Sequence, residues 1–146
     1  MKNYRTHKSS LFLIELILAI SFFSLASAVC LQLFVKSHLL SKETSQLITG
    51  VNLVTSAAES FRQSCGDMDA VTSFMPELKV SNSEEFYTAY YDEDGLPCTK
   101  SDAAYILTLT PDYREDTALA VIKILLTEDN NSIYELPVQV HVPHTY

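Results

Sequence analysis

The feature that most constrains this chain is Leu11 to Val35, an apolar run of 25 residues with a single charge, Glu15, and neither Pro nor Gly. At about 1.5 Å rise per residue, a helix of that length extends roughly 37 Å, enough to cross a hydrocarbon layer of about 30 Å with some tilt. A purely cytosolic enzyme is therefore not expected. Lys2, Arg5, Lys8 and His7 precede the run with no acid among them. Basic residues before an apolar span hold that end in the cytoplasm, so the reading is a single-pass chain with residues 37 onward outside. Those outer residues carry 6 Lys and Arg against 17 Asp and Glu, a net of −11. Direct nucleic-acid binding needs a basic surface to neutralise phosphates, and none is visible in that balance.

Three uses of the run compete. A secretory signal would end in a small-residue cut, and Ala26-Ser27-Ala28 supplies one, but the apolar stretch continues beyond it through Leu31, Leu33, Phe34 and Val35. A lipid-modified Cys30 fits less well, because Val29 is a poor neighbour for that chemistry. A plain anchor fits the length and leaves Glu15 without a role, unless Glu15 simply reaches back to the cytoplasmic interface. A carboxylate inside an apolar span costs up to a few kcal/mol and usually marks a function.

The stretch Lys8-Ser9-Ser10-Leu11-Phe12-Leu13-Ile14-Glu15-Leu16-Ile17-Leu18-Ala19-Ile20 resembles the N-terminal signature of type IV pilins and the related pseudopilins. Ser10 stands where that family prefers Gly, and Phe12 where Thr or Ser is common. The resemblance implies cleavage between Ser10 and Leu11 by a prepilin peptidase and methylation of the new N-terminus. It also implies assembly through Glu15, which pairs with the free amine of a neighbour's Leu11. The implied partners are that peptidase, other pilin or pseudopilin subunits, an inner-membrane assembly platform and membrane lipid. The implied role is structural: a subunit, on balance a minor one, of a type IV pilus, a type II secretion pseudopilus or a DNA-uptake pseudopilus, located in the membrane and then at the cell surface. The alternative is a membrane-anchored or secreted extracellular binding domain unrelated to pili.

Helical patterning does not stop at Lys36. Leu33, Leu40, Leu47, Val51, Val54, Ala58 and Phe61 keep one apolar stripe, and Lys42, Glu43, Gln46, Asn52, Ser56, Glu59 and Gln63 lie opposite. Residues 11–65 thus read as one helix of about 80 Å, apolar all round in its first half and amphipathic in its second; two helices hinged near Lys36 are the alternative. Residues 66–85 read as irregular, with Gly66-Asp67 ending the helix, Pro76 breaking the chain and Ser81-Asn82-Ser83 marking a turn. The period then changes to two. Strands are expected at Phe86–Tyr91, Ala104–Thr110, Leu119–Thr127 and Ile133–Val142, the last with Leu136, Val138, Val140 and Val142 facing in and Pro137 marking a sheet edge.

The expected organisation is a basic leader (1–10), a membrane and filament-core helix (11–36), its amphipathic continuation (37–65) and a β-rich head (66–146). The fold class is α+β, a long N-terminal helix packed on a small antiparallel meander, which is also the architecture the resemblance implies.

Little else carries chemistry. Cys65 and Cys98 both fall in the outer region and are the disulfide candidates, two free thiols being the other reading. Cys30 packs as a small hydrophobe. Asp92-Glu93-Asp94-Gly95 is a weak calcium candidate without EF-hand spacing, and an acid-rich turn is usually just solvated. His141 and His144 lack metal-ligand geometry on a strand, and Asn130-Asn131-Ser132 matches a glycosylation acceptor of little weight in a bacterial-type export system. No nucleophile motif and no phosphate-cradling loop is present, and no cofactor and no enzyme activity are expected.

Overall fold

The computed structural model describes residues 6–81, 86–128 and 130–142. The chain divides into two compact units, Met1–Glu43 and Thr44–Tyr146. Helix α1, Thr6–Gln63, belongs to both; the second unit adds α2 (Met68–Phe74) and strands β1 (Lys79–Val80), β2 (Tyr87–Tyr91), β3 (Tyr105–Arg114), β4 (Thr117–Leu126) and β5 (Ser132–His141). The architecture is α+β, a long N-terminal helix packed on a five-stranded antiparallel sheet.

The sheet order is the chain order, β1-β2-β3-β4-β5, with every neighbour antiparallel. Each strand is followed directly by its partner, so no crossover is needed, even where 13 residues separate β2 from β3. Period-2 alternation decides which side faces the helix. Tyr105, Leu107 and Leu109 of β3 are buried, as are Ala118, Ala120, Ile122 and Ile124 of β4 and Val138 of β5. They meet Val54, Ala57, Ala58 and Phe61 of α1 in one cluster, with Leu136, Val140 and Val142 packed against its margin. Pro137 lies on the exposed side of β5, the edge strand, where its missing N–H leaves the ladder to β4 intact.

Four expectations need correction. The helix begins before Leu11, at Thr6, and ends at Gln63 rather than 65. Its end is a Schellman cap: the Gly66 N–H bonds to the Phe61 carbonyl at 3.0 Å, the Cys65 N–H to the Arg62 carbonyl at 3.2 Å, and Cys65 and Gly66 both take positive φ. Second, residues 66–85 are not wholly irregular. Asp67 caps α2 by accepting from the Asp69 N–H, and two turns suffice to bury Met68 and Val71. The two-residue β1 then borders β2. Third, β3 runs through Pro111 to Arg114, paired residue by residue with Ala120 back to Thr117. Fourth, the apolar stripe of α1 is buried only in its last part. Leu33, Leu40 and Leu47 are exposed, Leu47 by 44 %, whereas Gly50 is buried and Val54 and Phe61 are at 0 %. Gly50 is a point of close approach to the sheet, where a Cβ would come to 3.1 Å from Ile124 Cγ2.

Candidate functional site

From Leu11 to Val35 every residue of α1 is exposed, including Phe22 at 77 % and Phe34 at 80 %. The helix is long and apolar enough to cross a membrane. The backbone of such a segment is satisfied by its own helical bonds, which is the condition for residing in hydrocarbon. Its polar side chains follow the same logic: the Ser24 hydroxyl donates to the Ile20 carbonyl at 2.8 Å. Glu15 is different, because no such return bond to the backbone satisfies an acceptor-only carboxylate. It is exposed and lies four residues, about one turn, after Leu11, so the two share a helix face. Ser10 is within the same helix, as are Thr6 to Ser9 of the leader.

The other expected site residues are not brought together. Cys65 and Cys98 are free thiols. Cys65 adjoins Gly66, where a Cβ would come to 2.3 Å from Ala118 Cβ. Cys98 follows Gly95, where a Cβ would lie 3.1 Å from Thr49 Cγ2. Thr49 and Gln63 are separated by about 20 Å of helix, and a disulfide requires Cα atoms within about 7 Å. The two cysteines therefore sit near opposite ends of the second unit, and of the two readings the fold has the free thiols. Burial and the nearby carboxylates of Asp92 and Asp102 push the Cys98 thiol up from its ordinary range. Cys30 is an exposed free thiol on the apolar helix.

The acid-rich turn is built as a turn. Asp92 Oδ1 accepts from the Asp94 N–H at 3.0 Å and from the Leu96 N–H at 2.9 Å, while Gly95 supplies a positive φ of 79°. One oxygen of the calcium candidate is thus engaged by the backbone, and among the described residues no three His, Cys, Asp or Glu side chains cluster in a metal-holding arrangement. His141 is exposed at the end of β5. His144, Lys2 and Arg5 of the leader, Asn82 and Ser83 of the expected turn, and Asp129 lie outside the described residues.

Three tyrosines tie the second unit together and were not singled out from the sequence. Tyr91 Oη donates to Glu77 Oε1 at 3.0 Å, and Tyr113 Oη donates to the Gly66 carbonyl at 3.0 Å. Tyr105 bonds through its hydroxyl to Thr49. Burial raises all three phenols above their ordinary range, and the Glu77 carboxylate adds to the effect at Tyr91. A tyrosine that alternates as an inward strand residue yet must find a polar partner for its hydroxyl is the signal that could have found them.

No family model, curated protein or solved structure matches the chain.

Proposed function

We propose that this chain is a structural subunit of a type IV pilus or pseudopilus, held in a membrane by its apolar helix and then drawn into a filament through that same helix. The observation that carries the reading is Glu15, a lone carboxylate one turn after Leu11 on a helix exposed and apolar from Leu11 to Val35. An unpaired carboxylate in hydrocarbon costs on the order of a few kcal/mol. Cleavage between Ser10 and Leu11 creates an amine that removes this cost if the Glu15 of one subunit meets the Leu11 amine of the next. The pair rewards one axial register among otherwise interchangeable apolar contacts, so its value is registry more than raw stability.

The same reading assigns the remaining roles. A prepilin peptidase performs the cut, and an assembly platform in the inner membrane extracts the helix from lipid. Methylation of the Leu11 amine follows the cut. The second unit faces outward as the filament surface, and its acid excess keeps it from direct nucleic-acid contact. The chain is a component of a machine for adhesion, secretion or DNA uptake and not a catalyst.

The test is the intact mass and N-terminal residue of the protein recovered from its native membrane. A start at Leu11, with or without one added methyl, is the expected result. A start at Val29 would make it an ordinary exported domain, and an unprocessed leader in a membrane with active prepilin peptidase would make it a plain anchor.

A further inference from the structure

Where the apolar run ends, α1 carries a second pattern that lies within the first unit. Leu33, Lys36, Leu40 and Glu43 follow one another at steps of three, four and three residues. That is the spacing of a seam between two helices, here with leucine at one set of positions and charge at the other. All four side chains are exposed, Leu33 by 63 % and Leu40 by 62 %. No charged residue stands three or four positions from Lys36 or from Glu43, so neither has a pairing partner on its own helix. Lys36 and Glu43 are themselves about 10.5 Å apart along the axis, beyond the spacing at which charges on one helix meet.

This face complements itself only when two parallel copies are displaced along the axis. Copies inserted into one membrane through the same helix run parallel. In register, Lys36 would face Lys36 and Glu43 would face Glu43, like charge against like. Displace one copy toward the C-terminal end of α1 by one heptad, about 10.5 Å, and its Lys36 meets Glu43 of the lower copy while its Leu33 meets Leu40. The Glu15 contact proposed above requires displacement in the same direction. There Leu11 of the upper copy stands beside Glu15 of the lower, a shift of about 6 Å. The two displacements differ by about 4.5 Å, which the flexible four-carbon stem of lysine spans. Each contact leaves the acid on the lower copy and the cation on the upper, so the arrangement repeats without closing.

We infer that this seam docks a second copy of the chain, with Lys36 of one copy paired to Glu43 of its neighbour. The pair is a further registry contact at the outer end of the apolar run. It disfavours in-register bundles of the same helices and selects the displaced arrangement. The inference rests on the filament reading and deepens it, because it names the residues that fix the step where the helix leaves lipid.

The experiment is charge reversal and charge exchange in the full chain in its native cells, read as protein in sheared filaments and as protein retained in the membrane. Lys36→Glu and Glu43→Lys are each expected to lower filament protein about three-fold or more, because each sets like charges together at every contact between copies. The exchange variant carrying both substitutions is expected to restore the wild-type level to within about two-fold. Lys42→Glu, about 100° round the helix from Glu43, is expected to leave it unchanged. Single reversals without effect, or an exchange variant no better than the singles, would overturn the pair and leave the filament reading standing. Loss of membrane retention by Lys36→Glu, with unchanged incorporation of the copies retained, would assign Lys36 to lipid headgroups and overturn the pair as well. Wild-type protein absent from sheared filaments would remove the filament reading and the pair together.

Discussion

One helix carries two chemically different stretches in this protein, and they differ in what surrounds them. From Leu11 to Val35 the side chains are exposed all round, while from Val54 to Phe61 one face is buried to 0–5 % against the sheet and the other is exposed. Backbone conformation is the same in both, so helix formation itself says nothing about environment. What differs is the distribution of polar residues around the axis. The first stretch is apolar all round and is long and apolar enough to cross a membrane. The second has Asn52, Ser56, Glu59 and Gln63 on its outer side and needs only the sheet. Between them Leu39, Leu40, Leu47 and Ile48 remain exposed, so apolar surface reaches beyond the lipid-length run.

The sharpest way to break this contrast is at Glu15. Glu15→Leu should leave membrane retention intact and reduce incorporation into filaments by an order of magnitude or more, measured as sheared filament against cell-associated protein. Normal incorporation of that variant would remove the registry mechanism.

Core truncations come next in size. Ile122→Ala or Phe61→Ala should each cost about 2–5 kcal/mol of stability in the second unit, because both side chains are fully buried in one cluster. Leu18→Ala, at a residue 65 % exposed, should leave the same denaturant midpoint unmoved. Equal effects at the two kinds of position would mean that the two stretches are not distinct environments.

Gly66→Ala is expected to destabilise by about 1–3 kcal/mol. Its φ of +81° is unfavourable for a side chain, and a new Cβ would meet Ala118 Cβ at 2.3 Å. Loss of stability without any change in membrane partitioning would assign that cap wholly to the second unit.

Alkaline pH tests the tyrosines. Tyr91, Tyr105 and Tyr113 titrate higher in the fold than in the unfolded chain, so the folded state binds more protons over that range. Their contribution is complete below the ordinary tyrosine pKa of about 10 and declines as pH rises above it. Chemical denaturation between pH 9 and 11 should therefore show falling stability, and Tyr91→Phe should flatten the slope most. The smallest effect belongs to Lys123 and Glu135, a half-exposed pair at 3.1 Å. A double-mutant cycle should return less than about 1 kcal/mol, shrinking with salt.

Much of the fold was legible because its signals are local. Alternation at Tyr105, Leu107 and Leu109, and at Leu136, Val138 and Val140, sets the inward side of a strand before any partner is known. The helix end at Gly66 was equally readable, although the left-handed position extends to Cys65. Helix α2 escaped because seven residues are too few to establish a 3.6-residue period, and β1 because two residues establish none. The choice between a Cys65–Cys98 bridge and two free thiols was not legible for another reason: compartment makes two thiols eligible, but only the packing of Gly66 on Ala118 and of Gly95 on Thr49 fixes how far apart they lie.

The sequence by itself therefore determined the apolar run, the charge inside it, the antiparallel alternation and the acid excess, since each depends on neighbours along the chain. Tertiary structure decided where burial of the helix begins, which acceptors the Tyr91 and Tyr113 hydroxyls reach, and that Lys79, Thr88, Thr108 and Lys123 stand in one row. These depend on strand register and on the approach of surfaces distant in sequence, which no local period encodes.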